Sequence, residues 1–283
     1  MQTLNRKITL VSKGQLLTLE NPVVMGILNI TPDSFFDGGR HLLKENALKQ
    51  TEKMLNEGAT FIDIGAYSTR PNAVDISIDE ELLRLIPIVE SISNQFPNAW
   101  LSIDTFRSEV AQQAIAAGGF LINDVSSGDD DLKMMETIGK LNVPYIMMHK
   151  KGTPKTMHIN PTYNNIVLEI IQYFTSKIKI AAEYGIKDII LDPGFGFGKT
   201  FKHNYTLLKQ FSDFQLFELP ILAGISRKSM LQKATGNKAE DALNATTAAN
   251  VIALLNGATI LRVHDVKEAI ESINIVTATY GNI

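Results

Sequence analysis

Eight short apolar runs, each ending in polar or charged residues, constrain the fold of this chain most strongly. The runs are Val23–Asn29, Phe61–Gly65, Trp100–Asp104, Phe120–Asp124, Pro144–His149, Ile189–Asp192, Pro220–Gly224 and Ile260–His264. Helical patterns separate most of them, and strands that alternate with helices favour a parallel sheet, which eight such units can close into a barrel. The sequence therefore predicts an α/β fold, a (β/α)8 TIM barrel, whose chemistry lies where the strands end.

The helices are predicted from apolar periodicity and from capping residues. Ser77, with Glu80 three residues later, forms a capping box that opens one helix, and Pro87 inside that helix is expected to kink or split it. The predicted helices are Asn46–Glu57, Ser77–Phe96, Ser108–Ala117, Asp131–Leu141, Asn164–Tyr184, Asn204–Phe211, Ala239–Leu255 and Val266–Tyr280.

The N-terminal segment is predicted to be an appended hairpin. Lys7–Val11 and Gln15–Leu19 flank a turn at Ser12–Gly14, and the pair is placed over the bottom of the barrel. Since the composition does not change abruptly along the chain, we expect one barrel domain over residues 1–283, with the hairpin in 1–20 and the barrel in 21–283. A (β/α)8 barrel of about 250 residues is ordinarily one domain.

Composition excludes several classes of function. A net charge of -3 gives no polyanion-binding signature, so nucleic acid and membrane surfaces are not expected partners. The absence of cysteine excludes disulfides, Cys-ligated zinc and a thiol nucleophile. No apolar leader and no long apolar span are evident, and we expect a cytoplasmic location.

Two strand-to-helix connections, Thr31–Leu43 and Ala66–Asp75, are too long and polar for ordinary turns. Such loops at a barrel mouth are typically lids or binding loops, although a surface insertion would have the same composition. A third connection, Asp192–Lys199, nearly matches the P-loop pattern, but Pro193 occupies the position where that motif requires glycine. Its glycines would instead let the backbone lie flat against a planar ligand with Phe195 or Phe197 as an apolar wall, or simply form a tight turn.

The acidic strand ends suggest a heterocycle site. Asp104 and Asp192, with Asn123, could bond the amino-pyrimidinone edge of a ring, because a carboxylate accepts two parallel N–H bonds and an amide both donates and accepts. Each aspartate could alternatively be a helix N-cap, and Asp63 and Asp124 are weaker candidates that could serve only as caps.

The basic residues at the other strand ends suggest an anion clamp. Lys228, Arg262 and His264, with Arg70 and Asn29, would face the acidic base of the pocket and hold a polyphosphate tail, although Lys228 or Arg262 taken singly could be a surface salt-bridge partner. Arg227, next to Lys228 in the sequence, is a further basic residue at the same strand end. The histidines His149, His158 and His203 lie too far apart to predict a tight metal site, but a substrate-borne Mg²⁺ could bind one oxygen of Asn29.

At this point the residues resemble a known family, dihydropteroate synthase. The matching motifs run in order from about residue 22 to 265: Asn29–Gly39, Ser68–Pro71, Ser102–Thr105, Ile122–Val125, Gly152–Met157, Asp192–Lys199, Ser226–Lys228 and Arg262–Asp265. The resemblance implies a transferase of folate biosynthesis and a sulfonamide target. It would join 6-hydroxymethyl-7,8-dihydropterin pyrophosphate to 4-aminobenzoate, giving dihydropteroate and pyrophosphate.

The resemblance also implies roles for individual residues. Asp104, Asn123, Asp192 and Lys228 would hold the pterin, and Asn29 would contact Mg²⁺. Thr69, Arg70, Arg262 and His264 would hold the pyrophosphate, and Arg70, Pro71 and Ser229 would lie near the aminobenzoate. The remaining implied substrate contacts are Met148, Phe197, Gly224 and Val263. Asp104, Lys228, Arg262, His264 and Arg70 would form the catalytic set.

Three positions depart from the usual pattern of the family. Phe36 replaces a small polar residue in the first loop, Tyr67 replaces a carboxylate in the second, and Lys150 stands where methionine is common. None of the three belongs to the implied pterin or phosphate set, so the departures bear on the aminobenzoate and sulfonamide environment.

Three other functions compete with the synthase. A cobalamin-linked methyltetrahydrofolate methyltransferase would need no pyrophosphate clamp, and a non-catalytic pterin-binding paralogue should have degraded loops. A Schiff-base aldolase using Lys228 lacks an evident carbonyl-handling partner. The helix at Ala239–Leu255 is apolar nearly all round, which predicts a twofold homodimer through the C-terminal helices.

Overall fold

The computed structural model describes residues 7–30, 39–68, 75–152, 157, 159 and 161–281. Its strands are β1 Ile8–Ser12, β2 Gln15–Leu19, β3 Val23–Asn29, β4 Phe61–Gly65, β5 Trp100–Asp104, β6 Leu121–Asp124, β7 Tyr145–Met148, β8 Ile189–Asp192, β9 Leu222–Ala223 and β10 Ile260–Val263. Its helices are α1 Gly39–Asn56, α2 Ile78–Gln95, α3 Ser108–Ala116, α4 Met134–Leu141, α5 Ile166–Glu183, α6 Phe201–Lys209, α7 Ser229–Thr235, α8 Leu243–Leu255 and α9 Val266–Tyr280. A 3-10 helix, Phe211–Phe217, follows α6.

The eight predicted barrel strands, β3 to β10, form one parallel sheet in the order β8-β7-β6-β5-β4-β3-β10-β9. A bridge between Leu191 and Ile221 joins the two ends of that order. The sheet is therefore a barrel, and the predicted fold class is confirmed. Helices surround it because the outward side of each strand is apolar, as at Ile62, Ile103 and Leu261, and packs into the same cluster as the helix residues.

The N-terminal hairpin is also confirmed and covers the bottom of the barrel. β1 and β2 pair antiparallel from Ile8 opposite Leu19 to Ser12 opposite Gln15. The buried side chains Leu10, Leu17 and Leu19 pack in one cluster with residues at the N-terminal ends of the barrel strands. Those strand residues are Met25, Phe61, Leu121, Ile146, Ile190, Leu222 and Ile260. Burial of these apolar side chains closes the lower end of the barrel to water.

Several predicted boundaries are wrong, each for a local reason. The first predicted loop ends early, because α1 already begins at Gly39. The helix predicted at Ala239–Leu255 begins only at Leu243, since hydrogen bonds from Asp241 N to Lys238 O and from Ala242 N to Ala239 O form turns before it. A separate short helix, α7, precedes those turns.

Pro87 does not split its helix, since α2 runs unbroken from Ile78 to Gln95. The Ser77 cap is present, with its side-chain oxygen accepting a hydrogen bond from Glu80 N at 3.2 Å. Among the described residues, no helix is both long and apolar enough to cross a membrane.

Candidate active site

The inward side chains change from apolar to polar along most of the barrel strands. Successive residues of a strand point to opposite faces, so the inward row of β4 is Phe61, Asp63 and Gly65, and that of β10 begins with Ile260 and Arg262. Phe61 and Ile260 belong to the cluster under the hairpin. Asp63 and Arg262 contact each other one step further up. The interior therefore has an apolar floor and a charged mouth.

One side of the mouth is a closed network, named here the Arg262 network: Asp63, Ser102, Asp104, Asn123 and Arg262. The guanidinium of Arg262 donates from Nε to Asp63 Oδ2 at 2.6 Å and from NH2 to Asp104 Oδ2 at 2.7 Å. Asp63 also accepts from Ser102 Oγ at 2.5 Å and from Asn123 Nδ2 at 3.2 Å. Asp63 was a weak candidate in the sequence, but it is buried and joins β4, β5, β6 and β10.

Electrostatics in this network follow from burial. Burial raises the pKa of Asp104 to about 7, with Arg262 opposing that shift and Asp63 adding to it. Burial also disfavours the charge of Arg262, but Asp63 and Asp104 outweigh it and raise its pKa above the ordinary value. Arg262 is therefore the charge that opposes protonation of Asp104.

The opposite side of the mouth is named here the lysine pocket: His149, Asp192, Phe197, Lys199 and Lys228. Asp192 ends β8, is buried, and accepts from Gly194 N at 2.8 Å. A Cβ built on Gly224 would lie 3.7 Å from Asp192 Oδ2 and 3.8 Å from Lys228 Nζ, so both groups converge at this glycine. Burial raises the pKa of Asp192, while Lys228 opposes that shift. Burial lowers the pKa of Lys228 to about 8.

The Gly-rich segment after β8 forms the wall of this pocket. Gly194, Gly196 and Gly198 all have positive φ, which explains glycine at these positions. Phe195 is buried in the core and stacks on Phe211, so it is not the ligand-facing ring. Phe197 is half-buried, and Lys228 Nζ lies 4.7 Å from its ring centroid. Of the two predicted wall residues, Phe197 is the one at the mouth.

Sequence reasoning missed the pairing of Lys199 with His149. Lys199 is buried, and its Nζ lies 3.0 Å from His149 Nδ1, with its other bonds going to backbone carbonyls. Burial lowers the pKa of Lys199 well below its ordinary value, and burial with nearby Lys199 lowers that of His149 to about 2. The near-match to a P-loop drew attention to Lys199, but only the barrel brings it to His149, fifty positions away.

The remaining basic residues at the strand ends are arranged differently from the anion clamp that the sequence predicted. His264 is exposed and its Nδ1 lies 3.0 Å from Ser226 Oγ, at the end of β10. Arg227 turns away to pair with Asp265 through Nε at 3.0 Å and NH2 at 2.6 Å. Because Arg262 and Lys228 both lie among carboxylates, the expected separation into an acidic base and a basic clamp is not what the described side chains form.

Other predicted site residues fall into three groups. Asn29, half-buried at the end of β3, and buried Met148, at the end of β7, lie on the inward side of the mouth, and exposed Ser229 begins α7. Val263 instead packs in the outer core between sheet and helices. Asp124 accepts from Ser126, Gly128 and Tyr145, so it organises the turn that follows β6 rather than the N-terminus of α4. Thr69, Arg70, Pro71, His158 and residues 31–38 lie outside the described residues.

Two of the three departures lie together beside the lysine pocket. The Tyr67 hydroxyl donates to Asp75 Oδ1 at 3.1 Å, and Lys150 Nζ pairs with Asp130. Both line a cavity of about 90 Å³, whose remaining walls are Phe106, Val125, Met157 and Phe197. Phe36 lies outside the described residues. Among the described residues no cluster of three or more acidic or histidine side chains could hold a metal ion by itself.

Comparisons with known proteins agree with this geometry. A family model described as "Pterin binding enzyme" matches residues 25–264. Dihydropteroate synthase of Escherichia coli (strain K12) is 43% identical over 272 residues, which cover 95% of this chain and 96% of that one.

Two solved structures are similar over nearly the whole chain. The Yersinia pestis dihydropteroate synthase, solved with a sulfonamide drug complex, has 43% identity and a TM-score of 0.89, covering 96% of this chain and 98% of that one. The Xanthomonas albilineans dihydropteroate synthase, solved with 4-aminobenzoic acid, has 37% identity and a TM-score of 0.91, covering 98% and 100%. The predicted family is therefore confirmed: this chain belongs to the pterin-binding enzymes and, among them, to the dihydropteroate synthases.

Proposed function

We propose that this chain joins 6-hydroxymethyl-7,8-dihydropterin pyrophosphate to 4-aminobenzoate by a displacement in which pyrophosphate departs first. The observation that carries the proposal is the convergence of buried Asp192 and Lys228 Nζ at Gly224, opposite Asp104 and Asn123. A pterin presents both donors and acceptors along its ring edge, and a mouth with two carboxylates, an amide and an ammonium matches it.

Pterin binding is assigned to both sides of the mouth. Asp192 would accept from the 2-amino group and N3, and Asn123 would bond the neighbouring edge. Lys228 would donate to a ring acceptor, since its ammonium has three protons and a backbone carbonyl, that of Phe195, takes only one. Phe197 and Met148 would pack against the faces of the ring, and Gly224 leaves the space that a side chain would fill.

The pyrophosphate is assigned to the outer rim. His264, exposed at the end of β10 beside Ser226, would contact it, together with Thr69 and Arg70. The half-buried amide of Asn29 offers one neutral oxygen, which fits a Mg²⁺ carried mainly by phosphate oxygens and water. When bound there, Mg²⁺ would neutralise negative charge on the leaving group.

The order of steps follows from charge. The aromatic amine is neutral and nucleophilic at pH 7, so no general base is needed to activate it. When the C–O bond to pyrophosphate breaks, the leaving oxygen keeps the electron pair and the methylene becomes a cation conjugated with the pterin. Asp104, whose ionised form Arg262 favours from 2.7 Å, would stabilise that cation. The amine then adds to the methylene near Pro71 and Ser229 and releases its proton to water.

One assay tests the reaction: pyrophosphate release from the dihydropterin substrate, measured with and without 4-aminobenzoate. We expect release that depends on 4-aminobenzoate and on Mg²⁺, with dihydropteroate as the second product. Methyl transfer from methyltetrahydrofolate, or tight pterin binding without release, would contradict the proposal and favour the methyltransferase or the non-catalytic paralogue.

The order of steps has its own test. Oxygen that exchanges position within labelled substrate, in the absence of 4-aminobenzoate, would support departure of pyrophosphate first. A large carbon isotope effect at the methylene, combined with a strong dependence of the rate on amine nucleophilicity, would show a concerted displacement and overturn it.

We also propose that the chain forms a twofold homodimer through α8 and α9. Ile252 and Leu255 on α8 and Ile275 on the adjacent α9 are exposed apolar side chains on the outside of the barrel. Light scattering at micromolar concentration should give twice the monomer mass, and Ile275→Asp should reduce it, whereas Ile159→Asp, at another exposed apolar position, should not. A monomer for the unchanged chain would refute the proposal. The cytoplasmic location stays a prediction.

A further inference from the structure

Lys199 is a buried side chain whose three hydrogen-bond partners are an imidazole nitrogen and two backbone carbonyls. Its Nζ lies 3.0 Å from His149 Nδ1 and donates to His149 O at 3.2 Å and to Phe197 O at 3.1 Å. When Lys199 carries all three protons, these three partners use every one of them, and His149 Nδ1 is then the acceptor, with the ring proton on Nε2.

These bonds join two separate loops at the mouth. His149 directly follows β7, and Phe197 lies in the Gly-rich segment after β8. The two loops already approach closely, because a Cβ on Gly194 would collide with the His149 carbonyl and one on Gly198 would collide with that of Lys151. Tyr163 adds a further bond from its hydroxyl to Gly198 O at 2.9 Å.

The Gly-rich segment that Lys199 binds forms the wall of the lysine pocket, where the pterin is proposed to bind. The ring of Phe197 lies 4.7 Å from Lys228 Nζ, and a Cβ on Gly196 would lie 3.3 Å from Lys228 Cδ. A small shift of the segment would therefore move both Phe197 and the side chain of Lys228. It would also move Gly194, whose N–H donates to Asp192.

We propose that Lys199 is a positioning residue of the pterin site, whose Nζ fixes the Gly-rich segment against His149 through these hydrogen bonds so that Phe197 and Lys228 keep their places. The inference rests on the proposed function, because it takes the lysine pocket as the place where the pterin binds. Lys199 itself touches neither substrate. Its charge has a second effect, because it lies close enough to Asp192 to favour the ionised carboxylate.

Two pairs of variants test this role. Lys199→Met keeps the length of the side chain but removes all three donors, and Lys202→Met removes an exposed lysine of the adjacent helix as the matched control. His149→Leu removes the side-chain acceptor, whereas His149→Asn retains an acceptor near the position of Nδ1. For each variant, the Kd for 6-hydroxymethylpterin is measured by titration calorimetry, with kcat, KM and thermal unfolding alongside.

We expect Lys199→Met to raise the Kd for the pterin and the KM of the pterin substrate about tenfold, because charged hydrogen bonds that fix the segment are lost. kcat should fall less than about threefold, since the reacting groups remain. His149→Leu should reproduce the loss and His149→Asn should largely restore wild-type affinity, with Lys202→Met unchanged.

Unchanged pterin affinity in a folded Lys199→Met protein would overturn the proposal, as would a lower Tm with unchanged Kd, which would mean that Lys199 serves stability alone. If Lys199→Met does not fold, the His149 pair decides, and equal affinities of His149→Leu and His149→Asn would refute the role. Failure of the unchanged protein to bind the pterin would instead refute the proposed function.

Discussion

The two sides of the barrel mouth stabilise their positive charges in different ways. In the Arg262 network the guanidinium is paired with two carboxylates, Asp63 and Asp104. In the lysine pocket, Lys199 donates to a ring nitrogen and backbone carbonyls, and Lys228 donates to the carbonyl of Phe195. One side is closed by charge pairs on three strands, and the other is held by dipoles of the two loops that follow β7 and β8.

The difference has a physical consequence for function. A buried ion pair with full hydrogen bonding is rigid, and removing one partner leaves a buried charge without compensation. Carbonyl dipoles offset less of the free-energy cost of burying a cation than carboxylates do. The pKa of Lys228 accordingly falls to about 8. The Arg262 network is therefore the fixed side of the mouth. In the lysine pocket, a bound ligand would add more to the stabilisation of the buried charge.

The strongest test removes the charge at the centre of the fixed side. Arg262→Ala should lower the free energy of unfolding by about 3–5 kcal/mol, because buried Asp63 and half-buried Asp104 remain without their cation. Turnover should fall more than pterin affinity, about a hundredfold, since nothing would then oppose protonation of the Asp104 carboxylate beside the developing cation. Urea unfolding and steady-state kinetics measure the two effects.

The matched control is Arg227→Ala. Its pair with Asp265 is partly exposed, so the expected loss is about 1 kcal/mol or less. Equal losses for the two variants would show that the mouth is not organised around Arg262. His264→Ala should also depress turnover more than pterin affinity, but without the loss of stability.

The next test removes the carboxylate of the lysine pocket. Asp192→Ala should weaken binding of a simple pterin more than tenfold, because a charge-assisted pair of bonds to the ring edge is lost. Asp188→Ala is the control, since Asp188 precedes the same strand at its other end and accepts from the hairpin at Val11 N. Wild-type affinity of the Asp192 variant in a calorimetric titration would mean that the ring binds elsewhere.

A pH titration compares the two sides without mutation. Pterin affinity should fall above about pH 8, as Lys228 loses its proton among Asp192, Asp104 and Arg262. Lys228→Arg should abolish that fall, because arginine does not titrate there. An unchanged profile in this variant would exclude Lys228 as the titrating group.

The lowered pKa of Lys228 also makes stability depend on pH, but stability rises with pH where pterin affinity falls. The unfolded chain keeps the Lys228 proton up to its ordinary pKa of 10.5, whereas the folded chain releases it near 8. Between these values the unfolded state binds more protons, so this group makes the free energy of unfolding rise with pH. Chemical unfolding between pH 8 and pH 10 should show a smaller rise for Lys228→Met.

The smallest effects are expected at the departures from the family pattern. Lys150→Met and Tyr67→Glu each break one bond at the edge of the cavity beside Phe197, to Asp130 and Asp75. Because both acceptors are partly exposed, stability should change by less than about 1 kcal/mol, and the KM for 4-aminobenzoate by less than about threefold. A larger change in that KM would mean that the cavity contacts the second substrate.

Much of the fold could be predicted from local pattern. Four of the eight barrel strands, among them Val23–Asn29 and Ile189–Asp192, begin and end at the predicted residues. They do so because a strand buried on both faces reads as a continuous apolar run. Boundaries failed where the sequence is polar yet ordered, as at Gly39 and at Leu243, and at Leu243 turn hydrogen bonds rather than hydrophobicity fix the end.

The site could be predicted only as a set of strand ends. That Asp104, Asn123, Asp192 and Arg262 would meet at one mouth followed from the parallel barrel, since the C-terminal ends of its strands share a face. Their partners could not be derived in this way. Asp63 and Arg262 stand 199 positions apart, and their pairing exists only because β10 closes beside β3, one strand from β4.

The sequence by itself determined the alternation of apolar runs and helices, the polar residue at each strand end and the glycines of the loop after β8. These are local properties, fixed by side-chain period and backbone freedom. Only the tertiary structure decided which charges neutralise one another, placing Arg262 between two carboxylates and Lys199 against His149. The reason is that electrostatic pairing depends on distance and burial, and both are set by barrel closure rather than by position along the chain.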